Sequence, residues 1–167
     1  QATAGESLGT TPLHAALASL APSAATGQPG APGKAVAAAL ELLGQATDGS
    51  NLTLDPDIDT YYLMDASYTA VPSLAESVGR LEALSYLRKA SGGKLNVSQQ
   101  LAAAEALGDD YHNRLLTGLA KVLAVRPELA RKLDDKPGTE PMHKMHELLG
   151  SEQADPAEVA RLGEQSL

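Results

Sequence analysis

Cysteine, phenylalanine and tryptophan are all absent from these 167 residues, and tyrosine occurs only at Tyr61, Tyr62, Tyr68, Tyr86 and Tyr111. Without cysteine there is no disulfide, no thiolate nucleophile and no cysteine-held metal. Without the larger aromatics, a core has to be built mainly from Ala, Leu, Val and Met. That supply suits helices, for which Ala and Leu are the best formers, better than sheets, which favour β-branched and aromatic side chains. An all-α protein is expected. Long basic runs are missing as well: no stretch of Lys and Arg exceeds a pair, and the formal net charge is −8. The electrostatic footprint that grips phosphate backbones is therefore lacking, and nucleic acid is not expected as a partner. No apolar stretch approaches the ~20 residues that cross a bilayer, and no basic-then-apolar signal segment opens the chain. Its first residue is Gln, not Met, so the chain is expected to begin inside a longer gene product.

What is present reads as a single domain, residues 1–167, of helices separated by breaker clusters at Ala21 to Gly33, Asp48 to Asp57, Ser91-Gly92-Gly93 and Asp134 to Pro141. A first helix is expected from Gly5 to Leu20, weakened or kinked by Pro12, with Leu8, Leu13, Ala16, Leu17 and Leu20 on one face. A second runs from Lys34 to Gln45 and groups Val36, Leu40 and Leu43. The third, Asp57 to Lys89, carries the clearest periodicity, through Met64, Val71, Leu74, Val78 and Leu81. Its span is ~50 Å at about 1.5 Å per residue. Asp55 is placed to cap it, Pro56 suits its first position, Asp57 and Asp59 complement its dipole, and Pro72 should bend it. The fourth, from Asn96 to Leu133, aligns Val97, Leu101, Ala104, Leu107 or Gly108, Tyr111, Leu115, Leu119 and Val122, and Pro127 should kink or end it. Short helices are expected at Pro141 to Leu149 and, capped by Asp155, at Pro156 to Leu167. Two long antiparallel helices joined by a Gly-Gly turn and flanked by shorter ones make a four-helix-bundle-like fold. Residues 50–57 form either a reversal between helices or a break within one rod.

Few motifs carry chemistry. Asp55, Asp57 and Asp59 have the alternate spacing that opens a calcium loop, but the sixth position is Thr60 instead of Gly and the twelfth is Ala66 instead of Glu. Met142-His143-Lys144-Met145-His146 spaces two Met and two His as soft-metal ligands would be, yet no third or fourth ligand is identifiable. An amphipathic helix that lays Met142 and Met145 on the bundle accounts for the same residues, so no metal or cofactor is expected. There is no nucleophile elbow, no zincin motif and no phosphate loop. Asp110, His112 and Ser85 make a triad only on paper, and an enzyme is not expected. Cations next to phenols are more informative: Arg80, Tyr86 and Arg88 on the third helix, and His112, Arg114 and Lys121 on the fourth, are of the types that hold a carboxylate by bidentate bonds beside a stacking face. The plain alternative is solvated side chains, or pairing of Arg80 and Arg88 with Glu76 and Glu82.

The run Ser50-Asn51-Leu52-Thr53-Leu54-Asp55-Pro56-Asp57-Ile58-Asp59-Thr60-Tyr61-Tyr62-Leu63-Met64-Asp65 resembles a segment in the extracytoplasmic region of bacterial methyl-accepting chemotaxis proteins, with relatives among sensor histidine kinases and diguanylate cyclase receptors. Softer likenesses cover Gly9 to Leu20, Pro72 to Leu81 and Asp155 to Leu167. The resemblance implies a periplasmic helical bundle of an inner-membrane receptor, homodimeric in the full protein and anchored through transmembrane helices outside this sequence. It also implies ligand-driven helix displacement, in which a ligand acts only through its differential affinity for two states. The chain departs from the family between Leu20 and Asp48, where a short Pro- and Gly-rich stretch replaces a Trp-bearing helix. The expected function is signal transduction, by binding either a small organic acid or a periplasmic protein partner, with Arg80, Tyr86, Arg88, Arg114 and His112 as ligand-binding residues.

Overall fold

A computed structural model of the chain describes residues 4–25, 31–133, 136–149 and 155–166. Pro29, Asp134, Asp135 and Leu167, on which parts of two breaker clusters and the chain end rest, lie outside them. The fold is an all-α helical bundle, with no strand among the described residues. It opens with a short α1 (Ala4–Ser7), then α2 (Thr11–Ala25) and α3 (Ala31–Gly49). The expected kink at Pro12 is not what divides the first helix. The break falls at Gly9, whose φ of 70° few other residues adopt, and Pro12 lies in the first turn of α2, where its missing N–H costs nothing. Helix α2 runs through Pro22 and pairs with α3. Gly49, at the end of α3, lies so close to the Leu8 backbone that a Cβ there would meet it at 2.5 Å.

Residues 50–57 are a reversal. Asn51 adopts the left-handed conformation, Leu52–Leu54 make one 3₁₀ turn, and α3 packs back on residues 66–70 and on the helix that follows. The long rod begins with α4 (Ile58–Asp65), one residue later than expected, and Asp57 is its N-cap residue. Asp55 accepts the Asp57 N–H at 3.0 Å, so it shapes the approach to the helix instead of capping it, and Pro56 precedes the first turn.

Pro72 leaves its mark on the rod as a widened turn. Its ring cannot donate to the carbonyl four residues back and would clash with it, and the five residues before α5, Ala66–Ala70, are π-helical. The helix then continues as α5 (Val71–Ala90). The π turn also resets which residues face inward. Val71, expected in the core, is 38% exposed, whereas Ala70 is 0% exposed.

Ser91, Gly92 and Gly93 end the rod, the two glycines at φ of 60° and 76°. The antiparallel partner, α6 (Ser98–Val125), starts where the Asn96 side chain accepts the Ser98 N–H at 3.2 Å and stops ahead of Pro127, which opens a 3₁₀ segment, Pro127–Arg131. On its inner face Gly108 is buried and Leu107 is exposed. Helix α7 (Lys136–Leu149) begins earlier than expected and includes Pro141. Helix α8 (Pro156–Ser166) has Asp155 before it as expected, accepting the Ala157 N–H at 3.4 Å and pairing with Lys89 at 2.8 Å. Those hydrogen bonds hold the Asp155 carboxyl below its ordinary range, the one from Lys89 contributing most. Because Asp155 meets Lys89 and Gly163 abuts Val78, α8 runs antiparallel to α5. The core lies here: Leu74, Val78 and Leu81 of α5 meet Val97, Leu101 and Ala104 from α6 and its approach, Met142, Met145 and Leu149 from α7, and Val159 and Leu162 from α8.

Candidate ligand-binding groove

At the far end of the rod from the Gly-Gly turn, α4 is pinned to α6 by acids of the Asp55–Asp65 segment. Asp59 pairs with Arg126 at 3.1 Å. Asp65, the last residue of α4 before the π turn, accepts two hydrogen bonds from Arg114, from Nε at 2.8 Å and Nη2 at 2.5 Å. The pair is asymmetric: the Asp65 side chain is 10% exposed and that of Arg114 47%. These bonds hold the Arg114 pKa above its ordinary value, against partial burial that works the other way. A bidentate fork of this kind fixes orientation as well as distance.

Beside the fork, Lys121 donates to the Tyr62 phenol oxygen and its ammonium lies 4.5 Å from the Tyr62 ring centroid, within cation–π range. Tyr61 stands edge-on to Tyr62 at 5.1 Å between centroids. Gly118 makes this arrangement possible, since a Cβ there would approach Tyr62 Cδ1 to 3.3 Å. The result is a polar groove of about 470 Å³ between the two helices, walled by Tyr61, Tyr62 and Asp65 from α4 and by Asp110, Asn113, Arg114, Thr117, Gly118 and Lys121 from α6. It combines two cations, two carboxylates, two phenols, an amide and a hydroxyl, an inventory suited to orienting a polar ligand.

The five residues singled out from the sequence do not converge. Arg114 lines the groove; His112, half-buried on the same helix, does not. Arg80 is tied to Glu76 one turn earlier at 2.6 Å, the plain pairing weighed for it. Tyr86, 65% exposed, lines a separate and mainly apolar groove of about 670 Å³ between α5 and α8, with Ala83, Leu87, Pro156, Ala157 and Ala160, and neither Arg80 nor half-buried Arg88 joins it. Asp110, Asn113, Thr117 and Gly118 of α6 were missed, as were Tyr61, Tyr62 and Asp65 of α4. The readable signal was the i, i+3, i+4, i+7 spacing of Asp110, Asn113, Arg114 and Thr117, which puts them on one helix face.

The other chemistry considered from sequence is also located. Met142 and Met145 are buried in the apolar core while His143 is exposed, and the His146 side chain lies outside the described residues. Among the described residues no three His, Asp or Glu side chains are grouped as a metal site. Ser85 is buried on α5 with its hydroxyl unpartnered, so no base touches it. Among the described residues no helix is long and apolar enough to cross a membrane. Compared with protein-family models, with curated proteins and with solved structures, the chain matches none.

Proposed function

We propose that this chain is the non-catalytic, periplasmic input domain of a bacterial inner-membrane receptor of chemotaxis or related sensory type, homodimeric in the full receptor. In this reading it takes a small ligand bearing a carboxylate into the groove between α4 and α6 and passes a displacement along the rod. The observation that carries the proposal is the groove itself. It is built by the Tyr61-to-Asp65 part of the segment that resembles chemotaxis receptors, it presents Arg114 and Lys121 beside two phenols, and it adjoins the π turn of the rod. A ligand that tightens or loosens α4 on α6 acts where the rod departs from regular α-helix, the kind of point at which two helix registers lie close in energy.

A second reading, an interaction module without a small ligand, is favoured by one feature: the apolar groove between α5 and α8, where Tyr86 and Leu87 are exposed together. A thermal-shift screen against organic acids, amino acids, aromatic carboxylates and short peptides with free C-termini separates the two. Under the first reading at least one carboxylate raises the midpoint, by about 2.7 kcal/mol of stability at a hundredfold excess over Kd, and Lys121→Gln abolishes the rise. Lys121 is exposed, so this variant spares the Asp65–Arg114 pair. A flat screen transfers the assignment to the interaction module.

A further inference from the structure

The charges in the groove are not equally engaged. Arg114 is matched by Asp65, and Lys121 spends one N–H on Tyr62 and keeps two. The Asp110 carboxylate forms no ion pair or hydrogen bond among the described residues. The four charged groups together sum to zero, in a chain of net charge −8. A simple carboxylate therefore meets the attraction of Lys121 at one end of the groove and the repulsion of Asp110 at the other, with the field of the whole protein adding to the repulsion.

We infer that the groove takes an extended zwitterion, a short peptide with both termini free, its ammonium on Asp110 and its carboxylate on Lys121. This rests on the groove being the ligand site proposed above. The two residues are separated by ~16 Å of helix axis at about 1.5 Å per residue. Lys121 reaches back over Tyr62, which packs on Gly118, so its ammonium lies roughly one turn N-terminal of its own Cα and the gap to be bridged is roughly 10–14 Å. At about 3.3–3.6 Å per extended residue, that is about three or four residues. Between the ends, the Asn113 amide and the Thr117 hydroxyl offer donors and acceptors to peptide groups, and Tyr61 and Tyr62 wall the groove on the α4 side. A single amino acid is too short to reach both ends.

Isothermal titration of the chain at low ionic strength tests the assignment with trialanine and tetraalanine, their N-acetylated and C-amidated forms, free alanine, succinate and a linear ω-amino acid of matching length. The free peptides are expected to bind, with blocking of either end weakening them on the order of tenfold, as loss of a charge-assisted hydrogen bond does. Asp110→Asn is expected to make free and acetylated peptides equivalent, and Lys121→Gln to do the same for acid and amide. Binding of succinate without any peptide, or an Asp110→Asn variant that still discriminates between free and acetylated peptides, overturns the inference and leaves the groove as a carboxylate site. An ω-amino acid as tight as tetraalanine overturns the peptide assignment in favour of the bare zwitterion. No binding by any compound, with the chain folded by circular dichroism, removes both the inference and the site it rests on.

Discussion

At the Gly-Gly end of the molecule, α5, α6, α7 and α8 close over Leu74, Leu81, Leu101, Met145 and Val159, all of them buried. At the opposite side, α2 and α3 carry Leu13, Leu17, Leu20, Leu40 and Leu43, each only partly covered and none of them buried; before Met64 the only buried side chains among the described residues are those of Thr10 and Thr47. The two regions draw on the same aliphatic residues. They differ in the number of directions from which a side chain can be covered. Four helices surround a residue, whereas a two-helix hairpin covers one seam and leaves the flanks to water. Burial and the stability it brings therefore concentrate at one end, and elements with few fully buried contacts open at lower free-energy cost. Between these regions, ion pairs and tyrosines join α4 to α6 and to Arg126 at its end, and this middle is where the candidate groove lies.

The comparison can be broken by substitution. Leu81→Ala, at a position 1% exposed within the four-helix end, is expected to cost about 3 kcal/mol, read as a lowered urea midpoint at unchanged slope. Asp65→Ala removes the acid that holds α4 to Arg114. Breaking a buried pair can cost more, but Arg114 is half in water, so about 1–2 kcal/mol is expected, most of it absent when Arg114 is already Ala in a double-mutant cycle. Leu17→Ala in α2 should cost below about 1 kcal/mol, with amide exchange faster in α2 and α3 and unchanged in α6. Equal losses for Leu17→Ala and Leu81→Ala would remove the distinction between the two regions.

Much of this architecture was legible because it depends on local chemistry. An aliphatic composition implied helices, glycines at Gly92 and Gly93 marked the stop, and Asp155-Pro156 marked the start of α8. Proline positions were legible as disturbances but not in form. Pro12 was harmless because Gly9 had already ended the preceding helix, and Pro72 was accommodated by a π turn, which moved Val71 outward. The groove was less legible, because its defining contacts join residues far apart in the chain: Asp65 to Arg114, Tyr62 to Lys121 and Tyr62 to Gly118. Arg80 illustrates the converse. Its partner Glu76 stands one turn away, where sequence spacing alone could name it.

The π turn between Asp65 and Val71 has a consequence for how the chain tolerates length changes. Deleting a single residue there would restore an uninterrupted α-helix with α4 and α5 still in their present phase, whereas drawing the same residues into a regular α-helix would rotate α4 relative to α5 by about 100°. Tyr61, Tyr62 and Asp65 would swing away from α6 while Leu74 and Leu81 stayed against it. The surplus residue thus works as a fixed phase offset. It lets one rod present a polar, ligand-sized face to the later part of α6 and an apolar face to its beginning.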